Sequence, residues 1–137
     1  MRSTKPIMLI EDDQVDVMTV RRALKDLEIN NEVVHAGNGE EALNYLKNSV
    51  NTLPCVIFLD MNMPKMNGPE FLEIAKYNPA LQSIPVIILT SSEEEQDKNI
   101  AFSMSVAGYI LKPVCYEKLL EAMNTINAYW TLSELPA

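Results

Sequence analysis

Short runs of apolar residues alternate along the chain with longer segments in which apolar residues recur every three or four positions. The short runs are typical of strands, and the longer segments have the period of an amphipathic helix. The predicted strands are Ile7–Ile10, Glu32–His35, Val56–Leu59, Val86–Leu89 and Ala107–Leu111. Five strands that alternate with five helices predict an α/β fold, in which a parallel sheet carries helices on both faces.

Start and stop signals support the first and third helices. In the segment 14–28 the apolar residues share one face, Asp13 can cap the first turn, and Asp16 adds negative charge there. Gly68 and Pro69 open the third helix, with proline at the first helical position. That helix is predicted to end at Asn78 and Pro79.

The fourth and fifth helices follow the last two strands. Ser92 and Glu95 have the spacing of a capping box, with serine at the cap and glutamate three residues later. The fifth helix is predicted to begin at Cys115. Its apolar face comprises Leu119, Leu120, Met123, Ile126 and Trp130.

Length and charge narrow the class of protein. A chain of 137 residues with 47% hydrophobic residues predicts one compact domain. The formal charge of −8 argues against a nucleic-acid partner, and no segment approaches the roughly 20 apolar residues of a membrane span. Cys55 and Cys115 are interpreted as buried free thiols of a cytoplasmic protein, and His35 as a surface residue.

A reactive side chain follows four of the five predicted strands. Glu11 and Asp12 follow the first strand, Asp60 the third, Thr90 the fourth and Lys112 the fifth. In open α/β sheets, sites form beyond the carboxyl ends of the strands, where the strand order reverses. These side chains are therefore predicted to form one site.

The chemistry of this predicted site is that of an aspartyl phosphate. Carboxylates 4 Å apart repel by roughly 4 kcal/mol at an effective dielectric near 20, so the acidic cluster needs a cation, and Mg²⁺ suits oxygen ligands. Asp60 is ionised at neutral pH and can attack phosphorus to give a mixed anhydride. Lys112 and Thr90 can then stabilise the charge on the phosphoryl oxygens.

With these residues in this order, the chain resembles the response-regulator receiver domains of two-component signalling, from about Lys5 to Asn127. The resemblance implies a flavodoxin-like sheet of order 2-1-3-4-5 and a single receiver domain over residues 1–137. It also implies that Asp60 accepts phosphate from a phosphohistidine on a sensor histidine kinase. Multiple-turnover catalysis is not expected, since the output is a change of binding partners.

The same resemblance assigns roles to individual residues. Glu11, Asp12, Asp60 and the backbone carbonyl of Asn62 are implied to hold Mg²⁺. Glu11 replaces the more common aspartate, so one of its metal contacts is expected to run through water. Thr90 and Tyr109 are implied to move together on phosphorylation and to alter the face formed by helix 4, strand 5 and helix 5.

Two further expectations come from the resemblance. Asn62 and Ser92 flank the phosphoryl entrance and are candidates for setting the rate of hydrolysis. The peptide bond between Lys112 and Pro113 is expected to be cis, turning the lysine towards Asp60.

The aromatic tail over residues 128–137 makes the chain similar to the single-domain regulators of bacterial phytochromes. A bacterial phytochrome is therefore a candidate kinase. Tyr129 and Trp130 can either close the core at the end of the last helix or form an exposed patch for self-association. We favour a homodimer.

Other readings compete with this one. Taken singly, these residues can be helix caps, turn residues or half-buried strand residues, and only the joint pattern indicates the site. An Mg²⁺-dependent aspartyl-phosphate phosphohydrolase is the main alternative, but Asn62 stands where such enzymes place an acid/base aspartate. A flavodoxin-type cofactor binder is disfavoured because no Ser/Thr/Gly-rich phosphate loop follows the first strand. A receiver domain cut from a longer DNA-binding regulator is also less expected, because the tail lacks the composition of a linker.

Overall fold

The computed structural model describes residues 3–113 and 115–133. Strands and helices alternate through these residues. The strands are β1 (Ile7–Ile10), β2 (Val33–Ala36), β3 (Val56–Leu59), β4 (Val86–Thr90) and β5 (Gly108–Leu111). The helices are α1 (Gln14–Asp26), α2 (Gly39–Lys47), α3 (Gly68–Lys76), α4 (Glu95–Ser103) and α5 (Tyr116–Leu132).

All strand pairs are parallel, and the sheet order is β2-β1-β3-β4-β5, which confirms the expected topology. The central strands β1 and β3 are buried at every position because helices cover both faces of the sheet. Alternate residues of β1 and β3 point to opposite faces: Met8 and Ile57 pack with α2, α3 and α4, whereas Leu9 and Phe58 pack with α1 and α5. The strand order reverses between β1 and β3, so the crevice lies beyond the ends of these two strands.

The cap of α1 is confirmed, and the capping box is in a different place from the one predicted. Asp13 Oδ1 accepts from the backbone N–H groups of Val15 at 2.8 Å and Asp16 at 3.3 Å. The true capping box joins Asn67 and Glu70 at the start of α3, where Pro69 is the second helical residue and not the first.

The predicted capping box of Ser92 and Glu95 is wrong. Helix α4 begins at Glu95, and its cap residue Glu94 makes no side-chain capping bond. Ser92 lies too far before the helix, and its hydroxyl donates to Asp97 Oδ2 at 2.5 Å, within the first turn of α4.

The expected cis bond is also wrong: residues 3–113 and 115–133 contain no cis peptide bond, so Lys112–Pro113 is trans. Lys112 N–H still donates to the carbonyl of Thr90 at 2.8 Å. The chain therefore stays in register with β4 for one residue beyond β5, and this register brings the lysine to the edge of the sheet without a cis turn.

The burial of the two cysteines and of His35 differs from the prediction. Cys115 is exposed because it caps the start of α5, and Cys55 is only half-buried, so neither is a buried thiol. His35 is half-buried, and its Nε2 lies 2.7 Å from the carbonyl oxygen of Glu11.

Within the described residues, no helix combines the length and hydrophobicity needed to cross a membrane.

Candidate functional site

The predicted site residues meet at the carboxyl edge of the sheet. Each follows or ends a strand whose apolar residues fix its position: Glu11 after β1, Asp60 after β3, Thr90 at the end of β4 and Lys112 after β5. Glu11, Asp60 and Thr90 are buried, Lys112 is half-buried and Asp12 is exposed. The side chains at this edge therefore form a largely buried polar cluster, in which Asp12 is the exposed member.

Both carboxylate oxygens of Asp60 have partners. The hydroxyl of Thr90 donates to Oδ1 at 2.6 Å, and the backbone N–H of Asn62 lies 3.4 Å from the same oxygen. The ammonium of Lys112 lies 3.4 Å from Oδ2. The side chain of Asp60 is only 7% exposed, so these contacts hold a buried carboxylate in a fixed orientation.

Lys112 makes its shorter contacts with other carboxylates. Its Nζ lies 2.6 Å from Glu11 Oε1 and 2.7 Å from Asp16 Oδ2. Burial by itself lowers the pKa of Lys112, but the hydrogen bonds to Asp16 and Glu11 outweigh it and raise that pKa above its ordinary value. The lysine is therefore a permanent positive charge that is shared among several acids.

Asp16 is a site residue that the sequence reasoning missed, since it was interpreted only as a charge in the first helical turn. Helix α1 begins four residues after β1 ends. Its first turn therefore has to lie beside the carboxyl edge of β1, and this short connection is the signal that could have revealed Asp16.

The pKa of Glu11 is raised to about 7, mainly because burial disfavours its charged form. The hydrogen bond from Lys112 lowers the pKa, and the negative charge of Asp60 raises it again. Glu11 therefore takes up a proton more readily than an exposed glutamate does.

Oxygen atoms of Glu11, Asp12 and Asp60 all lie within 4.8 Å of one another. The donor set consists of oxygen alone, and burial, together with the negative charge of Asp60, raises the pKa of its member Glu11. Both observations fit a hard divalent cation, which oxygen ligands favour. The structure therefore brings together the three carboxylates that are predicted to bind the metal. Asn62, whose backbone carbonyl is the fourth predicted ligand, has an exposed side chain.

A chain of hydrogen bonds leads from Asp60 to the face of α4 and β5. The backbone N–H of Ser92 donates to Thr90 Oγ1 at 3.3 Å, and the hydroxyl of Tyr109 donates to the carbonyl of Ser92 at 2.9 Å. The ring of Tyr109 packs near Phe102 of α4, with 6.4 Å between the ring centroids. Thr90 and Tyr109 are thus connected through Ser92.

The two aromatic residues near the end of α5 have different environments. Trp130 is buried in the core between the sheet, α1 and α5, whereas Tyr129 is 61% exposed. Their ring centroids lie 4.9 Å apart. Trp130 therefore closes the core and Tyr129 remains at the surface, while residues 134–137 of the predicted aromatic tail lie outside the described residues.

The sequence profile of the response regulator receiver domain matches residues 7–124. The match covers all four strand ends of the site and most of the chain. The protein therefore belongs to the response regulator receiver family, the signalling domains that act as phosphoacceptor switches.

Individual relatives match over nearly their whole length. The chain is 33% identical over 127 residues to the probable methanogenesis regulatory protein FilR2 of Methanothrix harundinacea, covering 90% of this chain and 82% of the relative. It is 32% identical over 130 residues to the response regulator Rcp1 of Synechocystis, covering 92% and 88%.

Solved structures agree in fold and length. The phosphorylated cyanobacterial phytochrome response regulator RcpA is 33% identical, with a TM-score of 0.89 over 97% of this chain and 98% of that one. The Mn²⁺-bound form of response regulator Rcp1 is 33% identical, with a TM-score of 0.88 over 97% and 99%. The chain is thus similar to receivers that have been observed with phosphate and with a divalent metal.

Proposed function

We propose that Asp60 accepts a phosphoryl group from a phosphohistidine of a sensor histidine kinase. An oxygen of Asp60 forms the new bond to phosphorus, the bond between phosphorus and the imidazole nitrogen breaks, and the electron pair stays on that nitrogen. The observation that carries this proposal is the buried Asp60 carboxylate, held by Thr90 on one oxygen and by Lys112 on the other.

Thr90 and Lys112 act on the phosphoryl group by donating to its oxygens. Both groups are already within reach of Asp60, so little reorganisation is needed, and transfer depends on positioning and electrostatics. Lys112 has to exchange part of its contact with Glu11 or Asp16 for a phosphoryl oxygen. No general base is required, because a carboxylate nucleophile has no proton to lose when it attacks phosphorus.

We further propose that the divalent cation is Mg²⁺, held by Glu11, Asp12, Asp60 and the backbone carbonyl of Asn62. When bound, Mg²⁺ neutralises carboxylate charge and a phosphoryl oxygen. Burial and the contact with Lys112 orient Glu11, and Asp12 presents its carboxylate from the solvent side.

The output is a change at the face of α4, β5 and α5. Phosphate on Asp60 recruits the hydroxyl of Thr90, which loosens its contact with Ser92 N–H. Tyr109, whose hydroxyl donates a hydrogen bond to the carbonyl of Ser92, then moves into the space that Thr90 leaves. A binding partner recognises the altered face. That partner can be a second copy of the chain, which would bind through the exposed Tyr129.

The kinase that we propose is a bacterial phytochrome acting in the cytoplasm. The similarity to RcpA, described as a phytochrome response regulator, supports this pairing. FilR2 is equally similar in sequence and carries a different regulatory name, so phosphotransfer must be compared across kinases. Faster transfer from any non-phytochrome kinase of the same genome would contradict the pairing but not the role of Asp60.

No observation favours the phosphohydrolase alternative. The residue two positions after Asp60 is Asn62, whose side chain is exposed and carries no acid. We therefore propose only self-directed reactions, namely phosphoryl uptake and slow hydrolysis of the aspartyl phosphate.

The test is intact-mass spectrometry after incubation with Mg²⁺ and acetyl phosphate. One base-labile phosphate should appear on the wild type and on the control Asp26→Asn, which removes an exposed carboxylate of α1. Asp60→Asn should stay unmodified, and equal modification of Asp60→Asn would overturn the assignment. For the metal, Mg²⁺ should raise the melting temperature of the wild type but not of Asp12→Ala.

A further inference from the structure

The lysine of the phosphoacceptor site has one partner that comes from a helix. Asp16, in the first turn of α1, places its Oδ2 2.7 Å from Lys112 Nζ, whereas Asp60 Oδ2 lies 3.4 Å away. Glu11 Oε1 lies 2.6 Å from the same nitrogen. An ammonium has three N–H donors, so three carboxylates can occupy all of them. A phosphoryl oxygen on Asp60 can therefore receive a hydrogen bond from Lys112 only if one of these contacts is given up.

The positions of the carboxylates indicate which contact is given up. Oxygen atoms of Glu11, Asp12 and Asp60 lie within 4.8 Å of one another, and Asp16 does not belong to this set. When Glu11 and Asp60 hold a cation, their oxygens have less negative charge to offer the ammonium of Lys112. The contact between Asp16 and Lys112 is the one that a cation in this set leaves intact.

Packing alone does not hold the lysine in position. A cleft of about 60 Å³ lies beside Lys112, and its lining includes apolar residues from α1, β4 and α5, namely Val20, Leu89 and Leu119. The flexible four-carbon stem of a lysine can move where such space is available, so a polar partner has to fix the ammonium. Burial lowers the pKa of Lys112, and of the contacts that raise it again, the hydrogen bond to Asp16 has the largest effect.

We propose that Asp16 is a positioning residue, which keeps Lys112 in place while one of its N–H groups moves from Glu11 to the phosphoryl group on Asp60. This inference rests on the proposed phosphoryl transfer to Asp60 and specifies which contact of the lysine is exchanged. Without Asp16, the ammonium rests on Glu11 and Asp60 alone, where it competes with the cation and is poorly oriented towards a phosphoryl oxygen. Loss of Asp16 therefore slows phosphorylation and weakens Mg²⁺ binding, and both effects act through Lys112.

The test compares the wild type, Asp16→Ala, Lys112→Met and the variant that carries both changes. The rate of phosphorylation by acetyl phosphate is followed by intact mass at saturating Mg²⁺. Asp16→Ala should slow it about tenfold, at the lower end for a charged hydrogen bond because the side chain of Asp16 is 36% exposed. Asp16→Asn, which keeps an acceptor oxygen, should lose less, and the control Asp26→Asn should match the wild type. When Lys112 is already methionine, Asp16→Ala should change the rate less than about twofold, since the partner through which it acts is gone.

A second measurement does not depend on phosphorylation. The Mg²⁺ concentration that gives half of the rise in melting temperature should be roughly threefold higher for Asp16→Ala than for the wild type. It should differ little between Lys112→Met with and without Asp16, whereas a general effect of the lost charge would be equal in both backgrounds.

The inference is overturned if Asp16→Ala leaves both quantities unchanged, or if it changes them by the same factor with and without Lys112. In either case an unmodified Asp60→Asn would leave the proposed function intact. Phosphorylation of Asp60→Asn at the wild-type rate would instead refute the proposed function, and this inference with it.

Discussion

Replacing Gly68 by alanine tests how closely the backbone packs around the phosphoacceptor. Gly68 begins α3, and its N–H donates to the carbonyl of Met61 at 3.1 Å. A Cβ atom on Gly68 would lie 2.7 Å from the carbonyl oxygen of Asp60 and 2.7 Å from Met61 Cα. Both are backbone atoms, so no side-chain rotation can relieve the contact.

The size of the effect follows from these distances. Favourable contacts between carbon atoms lie at about 3.5–4.0 Å, so the Asp60–Met61 backbone and α3 have to separate by roughly 0.7 Å or more. Overpacking of this kind costs about 1–3 kcal/mol, and alanine returns roughly 0.5–1 kcal/mol of helix propensity. The net loss of stability should be about 1–2 kcal/mol.

Phosphorylation should suffer more than this stability loss suggests. The displaced backbone carries the Asp60 carboxylate away from Thr90 and Lys112, which contact it at 2.6 Å and 3.4 Å. A misplacement of about 1 Å can slow a positioned reaction roughly a hundredfold. We therefore expect the rate of phosphorylation by acetyl phosphate to fall about tenfold to a hundredfold.

Gly108→Ala is the matched control, since its Cβ would meet only Ile87 Cγ2, at 3.9 Å, which is an ordinary van der Waals contact. Urea denaturation should show this variant to be as stable as the wild type or up to about 1 kcal/mol more stable, with an unchanged phosphorylation rate. If Gly68→Ala behaves like Gly108→Ala in both assays, the close approach of α3 to the Asp60 backbone is not what positions the carboxylate.

Three further predictions concern single contacts. Thr90→Val removes the hydrogen bond from the threonine hydroxyl to the Asp60 carboxylate, and a hydrogen bond to a charged group is worth about 1.5–3 kcal/mol. Phosphorylation by acetyl phosphate should therefore slow about tenfold to a hundredfold. An unchanged rate in a timed assay would exclude this role of Thr90. Lys112→Met removes the ammonium that competes with a cation for Glu11 and Asp60. Mg²⁺ should therefore raise the melting temperature of this variant more than that of the wild type. A smaller rise would contradict the idea that the lysine and the cation compete for the same carboxylates. Asp13→Ala removes the cap of α1 and should cost about 1 kcal/mol in urea denaturation, whereas no loss would mean that the cap contributes little.

Local sequence patterns determined the order of the elements and the identity of the residues at the strand ends. Apolar runs and helical periodicity identified all five strands and helices, with boundaries such as Gln14 and Asp13 correct and others, such as β2, shifted by one residue. These features depend on neighbouring residues, and so they are visible in the sequence. Because parallel strands place their carboxyl ends together, the meeting of Asp60, Thr90 and Lys112 followed from the pattern.

Only the tertiary structure decided how these side chains are paired. Lys112 divides its charge among Glu11, Asp16 and Asp60. Ser92 donates to the side chain of Asp97 and forms no capping box with Glu95. Such choices depend on the distances between elements that are far apart in sequence, which periodicity and capping rules do not specify.

The tertiary structure also decides two features around α5. An apolar groove between α5 and β5 is lined by Gly108 and Trp130, and the Nε1–H of Trp130 has no hydrogen-bond partner among the described residues. A glycine in a strand pattern and a tryptophan in a helical stripe have no special meaning in the sequence. Their meaning arises where α5 packs on β5, because only packing determines whether the space over a glycine is filled and whether a buried donor finds an acceptor.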